Sequence, residues 1–124
     1  MTSDSSRTTI NGLVNNQRHI TAVFGALADP RRRRILLSLS TGGETPVNAL
    51  SKPFRISAPA ISRHLRVLEK ARLIERRRIG REHLIRARPA GLKEAQAWID
   101  HCAAGWQFSF DVLDNLLKND TRKE

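Results

Sequence analysis

The chemistry available to this chain is carried mainly by arginine. Arg63 and Arg66 stand three residues apart in Ser57-Ala58-Pro59-Ala60-Ile61-Ser62-Arg63-His64-Leu65-Arg66, and Arg77, Arg78 and Arg81 crowd a second stretch. On a helix, residues three apart share a face, so the first pair projects to one side. A guanidinium stays charged and offers a planar fork of donors that matches phosphate oxygens or the O6/N7 edge of guanine, which an ammonium does not. Residue type and spacing therefore point to recognition of a polyanion rather than to bond making. There is no glycine-rich phosphate loop and no pair of carboxylates in an apolar setting. Ser62 and His64 fall on different helix faces and make no nucleophile–base pair. No catalytic residue and no enzyme activity are expected.

The placement of the charge sharpens this reading. Lys and Arg number 22 against 12 Asp and Glu in 124 residues, a net charge of +10. Residues 1–28 carry +1, residues 29–88 carry +11 and residues 89–124 carry −2. A solubilising surface mixes its signs, whereas a polyanion-binding face concentrates one. The length suits one domain, expected over 16–118 behind a flexible tail at 1–15. A single cysteine excludes an internal disulfide and a zinc ribbon within one chain. No apolar run approaches the ~20 residues that span a bilayer, and Met1 to Thr9 lacks the apolar core of a secretory signal. The expected location is cytoplasmic, with no membrane partner.

The elements that position these arginines follow from caps and periodicity. Ile20, Val23, Phe24 and Leu27 predict a helix from about Gln17 to Ala28. Asp29-Pro30 reads as N-cap and first residue of a second helix, with Ile35, Leu36 and Leu39 inward and Thr41-Gly42-Gly43 as its stop. Thr45-Pro46 repeats the start signal, and the short helix it opens, burying Val47 and Leu50, ends near Lys52 because Pro53 follows. Phe54 and Ile56 sit in a tight connection. Ser57 caps a fourth helix whose stripe is Ile61, Leu65 and Leu68, leaving Ala60, Ser62, Arg63 and Arg66 outside. Residues 73–88 change to a hairpin around Gly80-Arg81. Pro89 opens a last helix, 89–118, whose apolar residues Leu92, Ala95, Ile99, Cys102, Trp106, Phe110, Leu113 and Leu117 step by threes and fours, with Gly105 as a candidate kink.

A short helix, a tight turn and a second helix with a small polar outer face make a helix-turn-helix, and the basic hairpin behind it makes a wing. The expected fold is mainly α with a small β-hairpin, in the order α-α-α-α-β-β-α. Residues 24–88 resemble the ArsR/SmtB winged-helix transcriptional repressors of bacteria and archaea. Ala26-Leu27-Ala28-Asp29-Pro30 with Arg32, Arg34, Ile35 and Leu36 carries the resemblance at the second helix. Ser57, Ser62, His64, Leu65, Val67 and Leu68 carry it at the recognition helix, and Gly80-Arg81 at the wing. Pro53-Phe54, the run from Pro59 to Leu65, and a tail with Trp98, Trp106, Leu113 and Leu116 look most like a subgroup without the metal-sensing motifs. Where the family usually has Gly after the recognition helix, this chain has Arg72; that position commonly needs positive φ, so the turn either differs or is strained.

The resemblance implies a homodimer packed through its first and last helices, with Val23, Phe24, Leu92, Ile99, Cys102, Trp106, Phe110 and Leu113 at the interface. The seam of the last helix, too long for so small a domain to bury against itself, supports the same arrangement. The partner is double-stranded DNA carrying a pseudo-palindromic operator. Ser57, Ala60, Ser62, Arg63 and Arg66 on the recognition helix and Arg77, Arg78 and Arg81 on the wing are the candidate DNA contacts. Within Arg31–Arg34, one or two are assigned to structural ion pairs and the rest to the phosphate backbone. One alternative makes the chain a metal- or thiol-responsive repressor using Cys102 beside Asp100 and His101. Consecutive residues point ~100° apart around a helix, so these three do not converge on one ion within one chain, and Cys102 on the seam reads as a core thiol. No metal or other cofactor is therefore expected. A further alternative, a basic RNA-binding protein, calls for exposed aromatics on the basic face, but the chain has no Tyr and its Trp residues fall in the acidic last helix.

Overall fold

The computed structural model describes residues 16–122; the tail expected at 1–15 lies outside them. They divide into two units, one ending at Glu94 and the other running from Ala95. Helix α1 occupies residues 16–27. It is followed by α2 (Pro30–Gly42), β1 (Thr45–Pro46), α3 (Val47–Ser51), α4 (Ala58–Lys70), β2 (Ile74–Ile79), β3 (Glu82–Ala87), a 3-10 turn (Pro89–Leu92) and α5 (Lys93–Arg122).

Local chemistry sets each boundary. The Asp29 carboxylate accepts a 2.7 Å hydrogen bond from the Arg31 N–H and opens α2. The Ser57 hydroxyl accepts from the Ala60 N–H at 3.3 Å and opens α4, with Pro59 in the first turn. Gly43, at φ 77°, closes α2 as its N–H donates to the Leu39 carbonyl. Between α3 and α4 the chain reverses through Arg55, whose φ is 50°. Thr45-Pro46 does not start a helix in the way its type suggests. The Thr45 hydroxyl donates to the Gly43 carbonyl instead of capping α3, and both residues form a strand.

The hairpin is therefore part of a three-stranded antiparallel sheet, β1-β3-β2, rather than the two-stranded wing expected. Thr45 pairs with Ile85 and Pro46 with Leu84, while β2 and β3 pair from Ile74 opposite Ala87 to Ile79 opposite Glu82. The two-residue turn between them has Gly80 at φ 61°, which matches the right-handed strand twist.

The core of the first unit gathers Ile35, Leu39, Leu50, Ile61, Leu65, Leu68, Leu73 and Ile85, each at 2% exposure or less; each contributes about 1.5–3 kcal/mol on burial. Val23, expected at a subunit interface, is also fully buried and is a core residue: a side chain enclosed in its own subunit offers no surface to a second one. The end of α4 is a Schellman motif. Leu73 N–H reaches the Leu68 carbonyl at 3.0 Å and Arg72 N–H the Glu69 carbonyl at 2.9 Å. Arg72 occupies the left-handed position of this motif with φ 58°, so the turn has the glycine-type geometry and Arg72 bears its strain. Gly91 packs so closely against the Arg72 carbonyl that a Cβ there would collide with it.

The last helix begins at Lys93 after the 3-10 turn, four residues later than expected, and continues through Gly105 to Arg122. Taken by itself, the second unit leaves Trp106, Phe108, Phe110, Leu113 and Leu116 well exposed. Among the described residues no helix is long and apolar enough to cross a membrane.

Candidate nucleic-acid interface

The helix expected to carry recognition is α4. Its apolar stripe is anchored in the core by Ile61, Leu65 and Leu68, which turns Ser62, Arg63 and Arg66 outward, all exposed. Neither Arg63 nor Arg66 has an ion pair among the described residues. Ala60 is half-buried, Ser57 is exposed with its hydroxyl committed to the cap, and His64 is half-buried. Small residues around two free guanidiniums let the helix backbone come close to a partner while long forks reach past it.

The arginines of the sheet are divided. Arg77 donates from Nε and Nη2 to Glu44 at 2.9 and 2.6 Å, a bidentate pair that ties β2 to the loop before β1. Hydrogen bonds from the guanidinium to Glu44, and the charge of that carboxylate, hold Arg77 above its usual pKa. Arg78 folds back on its own turn, its Nε donating to the Gly80 carbonyl at 3.0 Å. Arg81, at the tip, is exposed with no ion pair among the described residues. Arg76 is held by Glu69 of α4 at 2.7 Å, and Arg86 by Glu75 across the strands.

The run Arg31–Arg34 follows the sequence expectation only in its single ion pair, Arg32 with Asp29. Arg32 donates to the carbonyls of Ala26 and Gly25 at 2.6 and 3.0 Å, and Arg33 to that of Leu27 at 2.7 Å. These two cations cap the end of α1, where carbonyls are left without helical partners and the helix dipole is negative. Arg32 also lies 3.9 Å from Asp29. Arg34 stands over the ring of Phe54, 5.7 Å from its centroid. Arg31 alone of the four has no such partner among the described residues. Glu44 as a partner of Arg77, and the α1 carbonyls as partners of Arg32 and Arg33, had no signal in the sequence because each is a contact made by the fold.

Of the residues assigned to a subunit interface, Phe24 is 37% exposed and Leu92 half-buried in the first unit; in the second, Ile99, Trp106, Phe110 and Leu113 are exposed and Cys102 is half-buried. Cys102 is a free thiol. Among the described residues no three His, Cys, Asp or Glu side chains are placed to hold a metal ion.

Known proteins are similar to this chain in sequence and in fold. Residues 29–76 match the bacterial regulatory protein family arsR. The transcriptional repressor SdpR of Bacillus subtilis is 43% identical over 58 residues, which are 47% of this chain and 63% of SdpR; the chain thus spans less than two thirds of that relative. The HTH-type transcriptional regulator Rv2034 of Mycobacterium tuberculosis is 37% identical over 75 residues, 60% of this chain and 69% of Rv2034. A solved ArsR family transcriptional regulator superposes with a TM-score of 0.68 at 30% identity, covering 73% of this chain and 93% of its own.

Proposed function

This chain belongs to the arsR family of bacterial regulatory proteins, and on that premise we propose that it is a DNA-binding transcriptional repressor, not an enzyme, that grips a pseudo-palindromic operator as a homodimer in the cytoplasm. The observation that carries the reading is the outer face of α4, where Arg63 and Arg66 are exposed beside Ser62 while most other arginines nearby are committed to carboxylates or carbonyls. Arg63 and Arg66 reach base edges in the major groove; Arg78 and Arg81 at the wing tip meet the sugar-phosphate backbone or the adjoining minor groove. Ser57 turns the N-terminus of α4, with its free N–H groups, toward a phosphate, and Ala60 keeps that approach close. Arg77 stays with Glu44 and sets the angle of the wing. Repression follows from occupancy of a site that overlaps a promoter.

The exposed apolar residues of α5 support the homodimer, since a second copy of the same helix is the cover that symmetry supplies. Two-fold symmetry then places the half-sites ~34–36 Å apart. Fluorescence anisotropy with a duplex from the gene's own upstream region and a shuffled duplex tests the reading. The expected preference for the upstream duplex is about 10³-fold or more at physiological salt. Arg63→Ala relaxes discrimination at one position by about 1–3 kcal/mol, while Arg78→Ala weakens both duplexes alike. Equal affinity for the two parent duplexes overturns it.

A further inference from the structure

Away from the outer face of α4, two adjoining hollows open between α1, the end of α4 and the 3-10 turn. The first, of about 270 Å³, is lined by Asn16, His19, Arg72, Arg88 and Glu94 together with the backbone at Ala90 and Gly91. The second, of about 390 Å³, shares His19 and Arg72 and adds Arg18 and Lys70. Four permanent cations therefore face a small space that contains one carboxylate, and that carboxylate, Glu94, lies 3.5 Å from His19 Nε2. Arg18, Lys70 and Arg72 have no ion pair among the described residues. Arg88 has only a 3.5 Å approach to Glu75, which is already engaged by Arg86. Like charges that outnumber their counter-ions raise the local potential and draw in an anion.

Arg72 stands at the junction, and it is the residue whose backbone is strained. A left-handed position that glycine fills without penalty is held by a long cation at a residue that lines both hollows. Strain retained at such a place points to a use for the side chain. The walls are also fixed in advance. His19 Nε2 donates to the Gly91 carbonyl at 2.8 Å, Arg88 N–H donates to the Leu73 carbonyl at 2.8 Å, and Gly91 is pressed against the Arg72 backbone.

The lining also indicates the class of ligand. Guanidiniums suit the paired oxygens of a phosphate. The Asn16 amide and the Glu94 carboxylate suit hydroxyl groups. Neither hollow is lined by Phe, Tyr or Trp among the described residues, and the imidazole of His19 is tied to the Gly91 carbonyl, so a nucleobase has no large ring to stack on. We propose that the hollows bind a small phosphorylated polyol, of the sugar-phosphate type, with Arg72 as the shared phosphate ligand. The proposal does not rest on the DNA-binding reading, because binding is measured without DNA.

The full chain is titrated calorimetrically at fixed ionic strength with glucose 6-phosphate, inorganic phosphate and glucose, and amide shifts are followed by NMR. Saturable binding is expected for glucose 6-phosphate, weaker binding for inorganic phosphate and none for glucose, with shifts confined to residues 16–22, 70–73 and 88–94. Arg72→Gly, which the backbone favours, loses about tenfold or more in affinity while its melting temperature does not fall; should it melt lower, Arg88→Gln gives the same loss on an untouched turn. No saturable binding, shifts that spread equally to Arg63 and Arg81, or unchanged affinity in both variants overturns the proposal. A third source of phosphate is separated by duplex titration: if Arg72→Gly flattens the salt dependence of DNA binding and no small anion binds, the hollows hold a DNA phosphate and the small-ligand site does not exist.

Discussion

Asp29 and Ser57 each satisfy a backbone N–H that no helical carbonyl can reach, and both were readable in the sequence because a cap acts over two or three residues. Arg72 was readable as a departure from the family pattern, and the structure resolves it as a left-handed turn. The partners of the other arginines were not readable. Arg77 finds Glu44 across 33 residues, and no local rule encodes that distance. Asp29 carries a pH consequence. The hydrogen bond from the Arg31 N–H is the main cause that lowers its pKa from 3.8. The folded chain thus binds this proton less readily than the unfolded chain. Its contribution to stability is complete above the unfolded pKa and drains as pH falls through the folded value. Urea midpoints measured between about pH 5 and pH 2 should fall less steeply for Asp29→Asn than for the parent. Parallel profiles would assign the cap no proton linkage.

At the level of elements, α1, α2, α4 and the hairpin follow from periodicity, caps and the Gly80-Arg81 turn, each a signal within one segment. β1 does not. Two residues have no period, and Thr45-Pro46 carries the signature of the helix start that α3 makes directly behind it, a signal that says nothing of the pairing with β3. This small strand matters for the wing, because the loop before it delivers Glu44 to Arg77. In the free chain this ion pair engages one wing cation. Glu44→Gln should release it, so that the parent and shuffled duplexes both bind more tightly and the slope of log affinity against log salt steepens by up to about 0.9. A slope equal to that of the parent would mean that Arg77 does not reach DNA even when freed.

On the scale of the whole molecule, the separation of charge along the chain becomes a separation of tasks: the basic segment holds the recognition helix and sheet, and the acidic segment is α5. The α5 seam was legible as a run of threes and fours, and the structure leaves Ile99, Trp106, Phe110, Leu113 and Leu117 of it exposed. Leu113→Glu should leave the first unit folded by circular dichroism, give a monomer by sedimentation at micromolar concentration and weaken operator binding by well over about tenfold; a dimer that persists in this variant would place the interface elsewhere. One last consequence lies in the sheet itself. Its two outer rims are a dipeptide ending in proline and a strand crowded with arginine, and both reject an incoming strand from a neighbour. The sheet is thereby protected against growing edge to edge into fibrils through its own wing.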